Sequence, residues 1–178
     1  MIPASVSIAA SLRRNHFIRS GIGQLMAYCL LLLFSCNHTN NKTMSSLTAY
    51  PFRLKPGQDL KQEIQNFVNS HSIKAGWIST CAGSLTKYAI RFANQPNNSV
   101  DSGHFEIVSL TGTVSMNGSH LHLSISDSTG KTIGGHLSEG CIIYTTAEIV
   151  ILATDDYNFT RKKDGTTPWE ELQVEEEK

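Results

Sequence analysis

Cysteine is scarce where a folded domain would use it. Of the four cysteines, Cys29 and Cys36 fall in or beside an apolar leader, which leaves Cys81 and Cys141. Neither has another cysteine at ligand spacing, so a zinc finger is excluded. Both sit among apolar or small neighbours and read as buried thiols rather than as a disulfide. Surplus positive charge is missing as well. The formal net charge is zero, and Arg13, Arg14 and Arg19 all lie in the first 35 residues, which hold no acid; beyond them stand 12 basic and 15 acidic residues. Affinity for duplex comes mostly from Lys and Arg against phosphates, so this balance argues against a DNA-coating protein. The sequence also has no G-x-S-x-G elbow, no Gly-rich phosphate loop, no heptads and no long repeat. Covalent serine chemistry, a nucleotide-cradling loop and a coiled coil therefore have no sequence support.

The apolar run from Leu25 to Phe34 is about half the length that spans a bilayer as a helix. It follows three arginines and precedes Ser35-Cys36, the order of a signal segment. Leu33-Phe34-Ser35-Cys36 resembles a bacterial lipobox with Cys36 as the lipidated sulfur, although Phe34 departs from the pattern. The expected organisation is a leader over 1–36, a polar linker over 37–47 and one domain over 48–178. That organisation implies a membrane-anchored lipoprotein of a bacterial envelope. The alternative is a cytoplasmic domain beginning near Met44.

Within the domain, Thr48 to Leu54 reads as a strand ended by the Lys55-Pro56-Gly57 turn. Asp59 caps a helix to about Ser70, with Leu60, Ile64, Phe67 and Val68 at helical spacing. Ile73 to Ala82 and Leu85 to Phe92 read as two strands separated by a bend at Gly83-Ser84. Gly103 to Val114 is a further strand, and the Asn117-Gly118 turn sends it back antiparallel through His120 to Ile125. Thr132 to Leu137 continues the sheet. Cys141 to Tyr144 and Ala147 to Ala153 are two more apolar strands. The tail from Asp155 is expected to give a last short strand and a frayed end.

Gly118 to Thr146 holds three of the seven histidines. His120 and His122 are two apart in an alternating run, so if Leu121, Leu123 and Ile125 face a core, both imidazoles face the other way. His136 follows Gly134-Gly135, where a close turn or bulge can bring a third imidazole alongside. Two histidines on one strand face and a third returning after a hairpin can form an open three-nitrogen metal site. The other reading is that one or more of them only hydrogen-bonds within the sheet.

Five blocks carry a family resemblance. Phe52 to Leu60 (FRLKPGQDL), Gly76 to Leu85 (GWISTCAGSL), Phe105 to Thr113 (FEIVSLTGT), His120 to Ser124 (HLHLS) and Gly134 to Leu137 (GGHL) resemble, in that order, the plants and prokaryotes conserved (PPC) domain. The resemblance runs from Tyr50 to Ile151. It implies an α+β fold, a mainly antiparallel sheet flanked by helices, assembled as a homotrimer. Plant members use a Gly-Arg-Phe-Glu-Ile-Leu hexapeptide for partner binding. Here Gly103-His104-Phe105-Glu106-Ile107-Val108 is similar, with His for Arg and Val for Leu, which points to Gly103, Phe105 and Glu106 as partner or ligand contacts. Bacterial relatives are labelled as DNA-binding, yet the Arg-Gly-Arg-Pro hook of the plant proteins is absent from this sequence. The resemblance further implies a metal held by His120, His122 and His136, and neutral imidazoles at ~2.0–2.1 Å suit zinc.

A cation held by three histidines keeps a fourth position open and can activate water. A catalyst would also need an acid or base, for which Glu106, Glu139 and Glu148 are the candidates, Glu106 first because it opposes apolar Phe105 and Ile107. Its plainer role is a strand-face carboxylate paired with Arg53 or Arg91. Thr80, Ser84 and Thr145 are candidates for a small polar pocket, and hydroxyls in a sheet usually satisfy backbone groups instead. The expected function is a trimeric module that binds a metal, a small ligand or a protein partner. DNA binding and metal-dependent hydrolysis are the alternatives.

Overall fold

The computed structural model describes residues Ser46–Glu177. The leader, Cys36 and most of the polar linker lie outside the described residues. Among the described residues the chain forms β1 (Leu47–Leu54), α1 (Leu60–Ser70), β2 (Gly76–Arg91), β3 (Ser99–Ser115), β4 (Gly118–Ser126), β5 (Thr132–Leu137), β6 (Ile142–Thr154), β7 (Tyr157–Lys162) and β8 (Glu171–Glu176). The first six strands make one antiparallel sheet in the order β1-β6-β2-β3-β4-β5. Ile90 and Arg91 at the end of β2 also pair with Leu137 and His136 of β5. The sheet thus curls until its far edge meets its own middle. β7 and β8 form a separate two-stranded hairpin.

This is more β than the α+β arrangement expected, with one short helix rather than several. The reason lies in the pattern: only Leu60 to Ser70 combines a cap with a 3.6-residue apolar period. Asp59 accepts hydrogen bonds from the amides of Lys61 at 3.0 Å and Gln62 at 3.1 Å, which satisfies two of the first-turn donors. Its other oxygen takes the Gly140 amide at 2.6 Å, pinning the helix start to the β5–β6 turn. Leu60, Ile64 and Val68 are fully buried against the sheet. Phe67 stacks on Phe52 at 4.0 Å between ring centres.

Two expected breaks are absent. Gly83-Ser84 does not separate strands; the bend is absorbed as a register shift between Gly83 and Leu85 against β6, so β2 runs continuously. Likewise Thr145 and Thr146 stay inside β6, with the Thr145 hydroxyl 2.8 Å from that of Ser84. The tail differs most. Asp164-Gly165, with Gly165 at φ +86°, lies in the turn region that folds β7 back towards β8, so a full hairpin replaces the frayed end. The hairpin is attached to the sheet through the Phe159 amide on the Lys74 carbonyl at 3.0 Å.

Candidate metal centre

The orientation of the histidines follows from the core. Leu121, Leu123 and Ile125 of β4 are buried, each contributing about 1.5–3 kcal/mol relative to exposure. A one-residue slip would move all three to the outside, so the pleat is locked. His120 and His122 therefore project from the opposite face, as their alternation predicts.

His136 stands directly opposite His122 in the β4–β5 ladder. The Gly134-Gly135 pair makes no turn; it lies inside β5 and permits close approach. A Cβ on Gly135 would stand 2.5 Å from the Arg91 carbonyl oxygen, so any larger residue would push β5 off β2. Gly112, at φ +136°, plays the same part on β3, where a Cβ would meet the His120 carbonyl oxygen at 1.9 Å. These contacts set where the three rings converge.

The ring centres of His120 lie 5.1 Å from those of both His122 and His136, and those of His122 and His136 are 5.8 Å apart. One nitrogen from each falls within 4.8 Å of the others. His120 Nε2 is 3.3 Å from His122 Nε2, close to the ~3.3–3.4 Å edge of a tetrahedron with bonds of about 2.0–2.1 Å. Burial, then the charges of Arg161 and His122, lower the pKa of His120. Burial followed by the charge of His120 pushes that of His136 down to about 4. Both are neutral at pH 7, the form that offers a lone pair. His136 Nδ1 is buried without a hydrogen-bond partner, a state that costs about 1–3 kcal/mol. Three converging imidazoles, with a buried nitrogen of His136 left unsatisfied, fit a zinc-type cation.

The other candidates stand elsewhere. Glu106 is exposed and pairs with Ser84 and Ser126, roughly 13 Å along the strand from the row of His122 at ~3.3 Å per residue. It faces neither Arg53 nor Arg91 in the ladder; Arg53 is opposite Glu148 and Arg91 opposite His136. Glu139 accepts from Gln62 Nε2 at 3.1 Å. Gly103 abuts the Phe105 ring, which meets Tyr88 edge-on at 5.0 Å. Ser84 and Thr145 bond each other rather than lining the histidine cavity, and Thr80 is exposed on β2. Burial raises the Cys81 thiol to about 12 and, as the main cause, the Cys141 thiol to about 11, so both are inert thiols at neutral pH.

Sequence reasoning missed the hairpin residues that border the histidine cluster. A cavity of about 280 Å³ opens beside the histidines, lined by Thr111, Thr113, His120, His122 and, from the hairpin, Arg161 and Glu171. Arg161 Nη2 donates to Thr113 Oγ1 at 2.8 Å, and Arg91 lies 5.4 Å below the Trp169 ring. The available signal was Asp164-Gly165 between two alternating runs.

The pattern of the Plants and Prokaryotes Conserved (PCC) domain matches residues 41–155. The bifunctional protein GlmU of Synechococcus strain JA-3-3Ab is 45% identical over 130 residues, 73% of this chain and 21% of that protein. The chain therefore spans about a fifth of the length of the curated relatives it matches. A solved hypothetical protein of Salmonella is 38% identical, with a TM-score of 0.72 and coverage of 74% of this chain and 96% of that one. Two more distant structures share the fold, each at a TM-score of 0.62. One, from Archaeoglobus fulgidus, is described as a metal-containing protein and is 24% identical, over 72% of this chain and 96% of that one. The other, from Bacteroides thetaiotaomicron, has a provisional DNA-binding description and is 21% identical, over 73% and 97%. The match across most of the described residues, through every block of the histidine site up to the hairpin, makes this chain a member of the Plants and Prokaryotes Conserved (PCC) family.

Proposed function

We propose that the chain is a metal-binding module in which His120, His122 and His136 hold zinc and leave one side open to a small ligand. The convergence of three imidazole nitrogens within 4.8 Å carries this reading. When bound, the cation supplies a Lewis acid at the edge of the cavity. The chain's own residues do the rest: the Leu121-Leu123-Ile125 core fixes the rings, Gly135 lets the third one in, and Arg161 and Glu171 border the open side. The metal-containing relative from Archaeoglobus fulgidus shares the fold and supports the reading. Elemental analysis of the protein, purified without a polyhistidine tag, tests it. About one zinc per chain is expected, lost in His122→Ala; a zinc-free protein after incubation with zinc would refute it.

The same proposal includes a homotrimer. Val100, Val108 and Tyr144 are 54%, 57% and 44% exposed in the single chain, and apolar groups left in water favour a partner surface. Light scattering that returns a monomer mass would exclude it. We also propose attachment to a bacterial envelope through Cys36, for which intact mass of the mature protein is the check: a mass without lipid removes the anchor.

A second reading, DNA binding, is favoured by the description of the Bacteroides relative. It requires salt-sensitive affinity for duplex, and a flat response between low and moderate salt would dismiss it.

A further inference from the structure

The hairpin β7–β8 begins just beyond the family match, which ends at residue 155, and it brings the two charged residues of the cavity. Arg161 is anchored twice. Its amide donates to Asn117 Oδ1 at 2.8 Å and its Nη2 to Thr113 Oγ1 at 2.8 Å. Neither partner is charged. Among the described residues the ion pairs are Lys74–Glu177 and Lys162–Glu175, so the guanidinium lies partly buried with no carboxylate in contact. A guanidinium offers five donors in a fixed fork, and its Nε is buried without a partner. Holding the hairpin to β3 does not by itself require a full positive charge there.

Glu171 lines the same cavity, and one of its oxygens accepts the Thr167 hydroxyl. Two opposite charges that border one space without touching leave room for a molecule between them. The volume of about 280 Å³ is just under the roughly 300–1,000 Å³ of typical ligand pockets, so the occupant is small. Glu171 would repel a bare anion, whereas a hydroxyl on that anion would turn the repulsion into a hydrogen bond.

We propose that this cavity binds a small oxyanion that also carries a hydroxyl, of the 2-hydroxycarboxylate or monoprotonated phosphate type. Arg161 takes the anionic oxygen and Glu171 accepts from the hydroxyl. The ligand then faces His120 and His122 across the cavity. The inference rests on the metal reading for what stands on that far side, but the Arg161–Glu171 pair is a property of the hairpin alone.

Calorimetric titration of the full chain with glycolate and with acetate separates the two. Zinc-loaded protein is expected to bind glycolate about fivefold tighter than acetate, the worth of one net hydrogen bond. Arg161→Gln is expected to weaken both by about tenfold or more. Arg161→Lys, which keeps the charge but not the fork, retains part of that binding. Glu171→Gln narrows the preference and improves acetate, with zinc content unchanged in every variant. Equal binding by wild type and Arg161→Gln, or no binding of either acid by a zinc-loaded wild type, would overturn the inference. A wild type that takes up no zinc yet binds glycolate in an Arg161-dependent manner sinks the metal reading and leaves this one standing.

Discussion

Two histidine-bearing regions of the sheet contrast sharply. At the start of β3, within the stretch that resembles the plant partner-binding hexapeptide, His104 packs on Tyr144 at 4.3 Å and Phe105 meets Tyr88 edge-on. The rings there have partners, and Glu106 is a solvated carboxylate. At the other region three imidazoles from two strands meet one another, with a buried nitrogen of His136 left unsatisfied. A matching motif marks kinship; converging ring nitrogens, one of them buried without a partner, mark a candidate site.

The largest effect that can break this contrast is on zinc affinity. His122→Ala should lower it by more than the ten- to hundredfold typical of losing a group outside the ligand shell, while Glu106→Ala leaves it unchanged; competition against a chelating dye reads both. An equal loss in the two variants would erase the distinction. Next comes the scaffold. Leu123→Ala should cost about 2–5 kcal/mol in denaturant unfolding, because Leu123 is buried on the core side of the strand next to His122.

Close approach at β5 should matter nearly as much. Gly135→Ala forces a Cβ against the Arg91 carbonyl oxygen at 2.5 Å and should cost about 1–3 kcal/mol, with weaker zinc binding as His136 is displaced. Stability should also depend on pH. The pKa of His136 is depressed to about 4, so between that value and the ~6.5 of an unfolded histidine the unfolded chain binds more protons. Stability of the metal-free protein therefore rises with pH through that window and levels off above it. His136→Gln should flatten the rise. The smallest expected change is Arg91→Ala, about 0.5–1 kcal/mol through loss of its contact with the exposed Trp169 ring.

Much of the fold was legible because local pattern and packing agree. The cap at Asp59, the Asn117-Gly118 turn and the alternation of Leu121, Leu123 and Ile125 each state in a few residues what the structure carries out. The continuity of β2 was not legible, since Gly83 reads as a break and only the facing β6 strand reveals a register shift. The pairing of His136 with His122 depended on a close approach at Gly135 that local sequence signals only as a loosened backbone. Arg161 and Glu171 were out of reach for a different reason. Their role arises when a hairpin folds back over a sheet dozens of residues away, and neither type is unusual in a polar tail.

An anomalous difference map at the zinc edge, from crystals grown with zinc, bears most directly on the central claim. The account predicts one peak per chain, about 2.0–2.1 Å from a nitrogen of each of His120, His122 and His136. A map without that peak, or with zinc held elsewhere while these rings stay apart, would contradict it.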